Sequence, residues 1–303
     1  LHEKRELSLL RSGDGLGQSP YMDTWHNLDM HFEALYWNLD EEQIHFQDIK
    51  GLNSEGRAFF ESVDYYSRER YDLLQGIDER NPLDLISNYC RRNGVDDFFL
   101  DDYVAFVRKP PEQVKAVLID LASQGFLNYD LDNDRIYVKE RLFAYLRARA
   151  GHADYDVMQL RSTISALPNA SLSLLNFDMK IRGVPAVFLS DSQQVVIYPS
   201  EQEILMKQDR SFAFSGKVQA GNFIFHTRES HFDYEAFRIN MPTIDRMLFR
   251  VRSFEPDERG FYYLEPVRTV LQDLSGEIQI DKPYNKSGKD SNPEYPIFTA
   301  GTE

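Results

Sequence analysis

The sequence predicts an α+β protein, in which a predominantly antiparallel or solenoid-like β scaffold carries an inserted winged-helix-like helical module. Three observations predict this fold class. After residue 155, short segments that alternate apolar and polar side chains follow one another to residue 282. The connectors between these segments are too short for the crossover helices that parallel strands require. A run of helical signals at residues 81–151 interrupts the β segments, so we expect it to be inserted between them.

The composition is that of a globular chain with room for about two domains. Hydrophobic residues make up 42% of the 303 positions and charged residues 27%, which excludes an intrinsically disordered chain. No apolar run reaches the roughly 18 residues of a membrane-spanning helix. The net charge of −15 repels the phosphates of nucleic acids, so no nucleic-acid partner is expected.

The N-terminal part of the chain mixes a polar segment with short β segments. Residues 1–20 are polar and glycine-rich, and we expect them to form an arm or linker. Within residues 21–80, two alternating runs at 34–37 and 43–46 flank an acidic turn and predict a hairpin. The aromatic-rich stretch after it predicts a helix or an irregular connector. The hairpin and residues 185–199 share a pattern of apolar pair, polar turn and apolar strand, which predicts one common β architecture.

The predicted helical module shows strong local signals for its element boundaries. Asn81 can cap a helix whose first turn holds Pro82, and Gly94 is a natural stop. A second predicted helix ends before Pro110, and Pro111 opens a third. Two alternating runs around the turn LDND predict a hairpin, and ERLFAYLRARAG predicts a closing helix. Three helices followed by a hairpin resemble a winged helix.

The C-terminal β domain, predicted at residues 155–282, alternates its aromatic side chains with period two. The predicted inward-facing positions are Phe212, Phe214, Phe223, Phe225, Phe232 and Tyr234. We expect these rings to fill the core of a meander or a solenoid. Residues 283–303 are expected to form an extended tail that leads into the rest of a longer protein.

Several segments of the chain resemble a known family. The segments NFDMKIRGVPAVFLSDSQQVVIYPSEQEI, FSGKVQAGNFIFH, FDYEAFRINMPTIDRMLFRV and SGEIQIDKPYNKSG are similar to large, exported, β-repeat-rich proteins of Bacteroidota. No activity is established for that family, so the resemblance implies no catalytic or binding residues. It implies a location in the cell envelope, in the periplasm or at the outer membrane. Together with a first residue other than methionine, it predicts that the chain is an internal fragment.

No histidine or cysteine pattern predicts a metal or cofactor site. The seven histidines are His2, His26, His31, His45, His152, His226 and His231. None of them forms the HExxH spacing of a zinc hydrolase. His226 and His231 flank the sequence TRES and could face each other across a hairpin, and we expect them to be surface histidines near a turn. The single cysteine, Cys90, lies on an apolar helical face and is predicted to be an inert core thiol.

No catalytic motif is found either. The acidic run at residues 130–134 lacks the glycine and the bidentate glutamate of an EF-hand loop, because Arg135 and Arg141 occupy those positions. We expect this run to be the solvated tip of a hairpin. The stretch SGDGLG at residues 12–17 has no preceding strand and predicts a linker, not a phosphate-binding loop. The prediction is therefore no enzymatic activity and no cofactor.

The third predicted helix is a poor candidate for reading DNA bases. Residues 81–151 hold ten Lys and Arg against eleven Asp and Glu, so phosphate binding gains little from counterion release. A protein partner is favoured instead, on a surface formed by this helix and the hairpin turn. The residues of this predicted interaction surface are Glu112, Gln113, Lys115, Asp130, Asp132 and Asp134.

These patterns predict a non-enzymatic structural, assembly or protein-interaction segment of a large cell-envelope protein. The expected partners are other segments of the parent protein or other envelope proteins, and open strand edges are expected to favour self-association. Two alternatives remain open. A winged-helix DNA-binding protein would show a local basic face. A glycan-binding or carbohydrate-active module would show a groove with exposed tyrosine or tryptophan and, for catalysis, two carboxylates about 5–10 Å apart.

Overall fold

A computed structural model describes residues 5–11, 19–49, 58–76, 79–164, 167–256, 258–267 and 272–301. These described residues form 21 strands and five α-helices. The helices are α1 (Arg68–Gln75), α2 (Pro82–Asn93), α3 (Leu100–Val107), α4 (Pro111–Ser123) and α5 (Glu140–Arg149). The strands are β1 (Glu6–Leu10), β2 (Tyr21–Asp23), β3 (Leu28–His31), β4 (Ala34–Asn38), β5 (Gln43–Gln47), β6 (Phe59–Ser62), β7 (Asp97–Phe99), β8 (Leu127–Asp130), β9 (Arg135–Val138), β10 (Gln159–Arg161), β11 (Ala170–Ser173), β12 (Met179–Arg182), β13 (Val187–Ser190), β14 (Val195–Pro199), β15 (Glu203–Met206), β16 (Phe212–Ala220), β17 (Phe223–Asp233), β18 (Arg238–Arg252), β19 (Leu264–Pro266), β20 (Leu274–Gln279) and β21 (Ile297–Ala300). The predicted SGDGLG linker and His2 lie outside the described residues.

Most of these strands form one large antiparallel sheet. Its order is β1-β4-β5-β11-β12-β15-β16-β17-β18-β20-β21, with β13, β14 and β19 attached beside this path. Ile44 of β5 lies opposite Leu172 of β11, so the N-terminal hairpin and the C-terminal strands are neighbours in one sheet. The predicted α+β class with a β-rich antiparallel scaffold is confirmed. The described strands show no solenoid closure, and β1 and β21 each have one neighbour among them, so self-association through these edges stays a prediction.

Short paired strands lie within both segments that the sequence predicts as an arm and a tail. Within the expected arm, β1 pairs with β4 and places Leu9 opposite Leu35. Within the expected tail, β21 pairs with β20, and the ring of Phe298 lies 5.0 Å from the ring of Phe225. Each segment is held in place by backbone pairing with another strand. Because these strands have only five and four residues, their sequences are too short to show a clear apolar-polar alternation.

The core of the scaffold confirms the predicted aromatic alternation. Phe212, Phe214, Phe225 and Phe232 are buried within one apolar cluster, and Phe223 is partly buried against it. Phe212 and Phe232 lie directly opposite each other on β16 and β17, with ring centroids 5.0 Å apart. The hydrophobic effect therefore fixes which face of each strand points inward.

Strand β16 changes its pairing partner along its length, so the large sheet branches there. The first residues of β16 pair with β15, and the later residues pair with β14. Gly216 lies at this change with φ of 154°, and a Cβ atom there would lie 2.2 Å from the carbonyl oxygen of Tyr198. The close approach of the two backbones therefore requires glycine at this position.

The helical module has an apolar core of its own, separate from the scaffold core. The side chain of Asn81 accepts a hydrogen bond from the backbone N–H of Leu83, Pro82 opens α2, and Gly94 ends it in the left-handed conformation. These boundaries confirm the local predictions. The strands β7, β9 and β8 form a three-stranded antiparallel sheet against the helices.

The module leaves and rejoins the scaffold between two neighbouring strands. A small antiparallel sheet has the order β10-β6-β3-β2. The chain enters the module after β6 and returns in β10, and Glu61 lies opposite Gln159 in this pair. The prediction of an insertion is confirmed by this pairing. Phe59 and Phe60, expected in a helix or irregular connector, belong to β6 because Phe60 is buried in the scaffold core.

The lengths and polarities of the helices bear on membrane insertion. Among the described helices, none has the length and apolar character needed to cross a lipid bilayer.

Candidate functional site

A buried ion-pair cluster joins the module to the small sheet. Glu61 of β6 is 0% exposed, and its two carboxylate oxygens accept hydrogen bonds from both Nη atoms of Arg70 at 2.8 Å each. Arg141 of α5 donates from Nη2 to the same carboxylate at 2.6 Å, and Gln159 donates from Nε2 at 2.8 Å. Arg141 also pairs with Asp29 of β3. We call Asp29, Glu61, Arg70 and Arg141 the buried ion-pair cluster.

Both arginines of this cluster remain protonated at neutral pH. Burial alone would lower the pKa of Arg70, but the hydrogen bonds and the charge of Glu61 outweigh it and raise the pKa above its ordinary value. Burial lowers the pKa of Arg141 to about 10, which still leaves the guanidinium charged near pH 7. Asp29, Glu61 and Arg141 are buried and Arg70 is partly buried, so each charge of the cluster depends on its partners.

A second polar contact joins the small sheet to the large one. The buried carboxylate of Asp156 accepts hydrogen bonds from Ser62 Oγ at 2.6 Å and from the hydroxyl of Tyr234 at 2.7 Å. Burial raises the pKa of Asp156, although these hydrogen bonds oppose the change. The guanidinium of Arg210 lies 3.8 Å from the ring centre of Tyr234 and pairs with Asp64. These contacts therefore join the small sheet and the start of the module to the large sheet.

A groove of about 600 Å³ opens beside these contacts, between the module and the scaffold. Its lining residues are Tyr65, Tyr66, Ser67, Arg68, Tyr155, Val157, Gln159, Arg161, Pro185, Ala186, Phe188 and Asp191. Three tyrosines come from the segments that connect the module to β6 and β10. Phe188 of β13 forms part of the opposite wall and is 51% exposed. We call this feature the junction groove.

The charges of the junction groove are carried by exposed side chains. Arg68 begins α1 and has its nearest carboxylate, that of Asp72, at 3.9 Å. Arg161 donates to the side-chain oxygen of Gln159, which is uncharged. Asp191 is the single carboxylate among the described lining residues. A Tyr-lined concave surface with guanidinium groups is typical of a binding site for another molecule.

The predicted interaction surface lies elsewhere on the module. The structure brings two of its residues together, since Nζ of Lys115 is 3.6 Å from Oδ1 of Asp134. Asp130 accepts hydrogen bonds from the backbone of Asp132, as expected for a solvated hairpin tip. Glu112 and Gln113 are exposed on the first turn of α4. None of these six residues lines the junction groove, and their role as an interaction surface stays a prediction.

Sequence reasoning missed the residues of the junction groove. Tyr65 and Tyr66 were part of a predicted connector, and Tyr155 was the start of the predicted β domain. The adjacent tyrosines at the exit from a strand were the available signal. Nothing local connects them with Phe188, which is more than a hundred positions away in the chain.

The expected arrangement of His226 and His231 is wrong. Both lie on β17, which continues through TRES with a bulge between His226 and Thr227. His226 is opposite Lys217, and His231 is opposite Ala213, so the two imidazoles do not face each other across a turn. Among the described residues, no group of three or more His, Cys, Asp or Glu side chains could hold a metal ion.

The predicted core position of Cys90 is confirmed. Its side chain is buried in the module core. Burial raises the pKa of the thiol to about 11, so the reactive thiolate is scarce at neutral pH.

We expect His31 to make stability depend on pH. Its ring stacks on Phe59 with centroids 3.9 Å apart, and burial, with the charges of Arg11 and Arg70, lowers its pKa to about 3. In the unfolded chain His31 binds a proton near pH 6.5, whereas in the folded chain it stays neutral until about pH 3. The stabilisation is therefore complete above pH 6.5 and is lost as the pH falls below it. Between pH 7 and pH 5, wild type should lose about 1–2 kcal/mol more than His31→Phe in urea unfolding. Equal losses of unfolding free energy in wild type and His31→Phe would show that His31 does not cause the pH dependence.

Fold and groove together define the class of this protein. It is a β-rich α+β protein with an inserted helical module and an aromatic groove at the junction. No family model, no curated protein and no solved structure matches the chain.

Proposed function

We propose that this chain is a non-enzymatic structural and protein-interaction segment of a larger protein, and that the junction groove receives its partner. The observation that carries the proposal is the position of the junction groove between the helical module and the scaffold, which the buried ion-pair cluster joins. A groove whose walls are already fixed loses little conformational freedom on binding, so more of the contact energy appears as affinity. The tyrosine lining supports a protein partner, because aromatic and arginine side chains are enriched in the centres of protein interfaces.

Capture of the partner with matched variants tests this function. Phe188→Ala removes an exposed ring from the groove wall, and Phe177→Ala removes a ring of similar exposure, 48%, from a turn outside the groove lining. A protein captured from the native host should be identified, purified and titrated against wild type and both variants. We expect Phe188→Ala to weaken the dissociation constant about tenfold and Phe177→Ala to leave it unchanged. If the partner binds both variants equally well, its interface lies outside the junction groove.

We also propose that the module is winged-helix-like. The order α2, β7, α3, α4, β8, β9, with β9 central in the sheet, supports this assignment. In such a module α4 would be the helix that reads DNA. Lys115 on α4 is engaged by Asp134, and its exposed neighbours Glu112 and Asp120 are acidic, which supports a protein partner instead. A gel shift at low salt that shows tight, salt-sensitive DNA binding would reverse this preference.

The proposed location is the cell envelope. It rests on the resemblance of the C-terminal β segments to large exported proteins. Fractionation of the native host, with an antibody against this chain, should recover the protein with the periplasm or outer membrane. Recovery with the cytoplasm would overturn the location without affecting the groove.

A further inference from the structure

The edge of β10 that faces away from β6 has no hydrogen-bonded strand partner among the described strands, and β13 lies nearby. The backbone N–H of Ser62 donates to Met158, and that of Ser162 donates to Ala58, so these alternate positions face β6. In an antiparallel pair the intervening residues, Gln159 and Arg161, point their backbone groups to the other side. Among the described strands, β10 pairs with β6 alone, so these groups have no strand partner.

The side chains of the same segment form the floor of the groove. Val157, Gln159 and Arg161 alternate along the chain and all line the groove, whereas Leu160 points into the scaffold core. The groove is closed at one end, where the backbone N–H of Thr163 donates to the carbonyl oxygen of Gly183 at 2.8 Å. An open strand edge beside a concave aromatic wall is the geometry in which an extended peptide adds a strand.

The charge of the groove selects the kind of peptide. The lining holds two guanidinium groups, those of Arg68 and Arg161, against the one carboxylate of Asp191. Arg68 also pairs with Asp72 outside the lining, whereas Arg161 contacts the uncharged Gln159, so Arg161 supplies a positive charge on a chain whose net charge is −15. An acidic side chain would therefore be attracted to the guanidinium of Arg161, and a basic peptide would be drawn to the net negative charge of the rest of the chain.

We propose that the junction groove binds an extended acidic peptide segment of the partner, which pairs with the open edge of β10 and places apolar side chains against Tyr155 and Phe188. This inference rests on the proposed function and names the partner's chemistry. Pairing through the backbone supplies affinity, and the alternate side chains supply the selectivity.

Two fluorescein-labelled peptide pools of about six residues are the probes for this inference. One pool alternates Asp or Glu with Val, Ile or Tyr, and the other alternates Lys or Arg with the same apolar residues. Fluorescence anisotropy against the full chain should show saturable binding of the acidic pool alone. Arg161→Ala should weaken the best acidic peptide about tenfold, and Arg92→Ala, an exposed arginine of α2 outside the groove lining, should not.

N-methylation of single peptide bonds then tests the strand pairing without changing the protein. Methylation of alternate positions should abolish binding, and methylation of the intervening positions should be tolerated, because only alternate N–H groups of an added strand face the edge. Tolerance at every position, equal binding of both pools, or unchanged binding to Arg161→Ala would overturn the proposal. Saturation of the groove by a neutral oligosaccharide, lost in Phe188→Ala, would replace it with a glycan site.

The two proposals fail in different ways. If the captured partner depends on Phe188 but no acidic peptide binds, the groove remains an interface and the strand-addition inference is wrong. If acidic peptides bind but no Phe188-dependent partner is captured, the peptide site stands and the proposed function falls.

Discussion

Replacement of Glu61 by alanine should destabilise the protein by about 3–5 kcal/mol, because it leaves the buried guanidinium of Arg141 and the partly buried guanidinium of Arg70 without their shared carboxylate. Arg70 would lose both of its 2.8 Å hydrogen bonds to Glu61, and Arg141 would retain Asp29 as its carboxylate partner. The free energy of unfolding, measured by urea denaturation near pH 7, gives the comparison with wild type.

An exposed ion pair supplies the control for Glu61→Ala. Arg228 contacts Asp245 through several hydrogen bonds, yet both side chains are largely exposed. Asp245→Ala should therefore cost far less than Glu61→Ala, since water screens and replaces the pair. A loss for Glu61→Ala as small as that for the control would contradict the view that the buried ion-pair cluster holds the module to the scaffold.

Phe212→Ala should destabilise the protein by about 3–5 kcal/mol, because the lost ring leaves a cavity in the scaffold core. Phe212 is 0% exposed and packs against Phe232 and Phe214. Phe254→Ala makes the same chemical change at a ring that is 99% exposed, and it should alter stability by less than about 0.5 kcal/mol.

Urea or thermal unfolding of the two phenylalanine variants, each beside wild type, checks this contrast. If Phe212→Ala and Phe254→Ala cost the same, the face of β16 that carries Phe212 is not the core face. Retention of binding at the junction groove in Phe254→Ala would serve as a check that the variant is folded.

Local chemistry made the module the most predictable part of the fold. Asn81, Pro82 and Gly94 act on the backbone within one helical turn, so their effect is visible in a short window of sequence. The period-two rings of β16 and β17 are equally local, because alternation along one strand suffices to separate its inner and outer faces.

Long-range pairing made the ends of the chain and the buried ion-pair cluster unpredictable. β1 and β21 are strands because other strands pair with them, and segments of five and four residues are too short to reveal an alternating pattern by themselves. Arg141 and Glu61 are 80 positions apart, and a charged residue has the same appearance in sequence whether it lies on the surface or in a buried network.

The sequence by itself determined the α+β class, the insertion of a helical module and the inward aromatic faces of the β scaffold, since these follow from propensities and periodicities over a few residues. The tertiary structure alone decided which charges are buried together and which tyrosines share a groove with Phe188. The physical reason is that these contacts depend on how separate segments close upon one another, and chain closure leaves no periodic signal in the sequence.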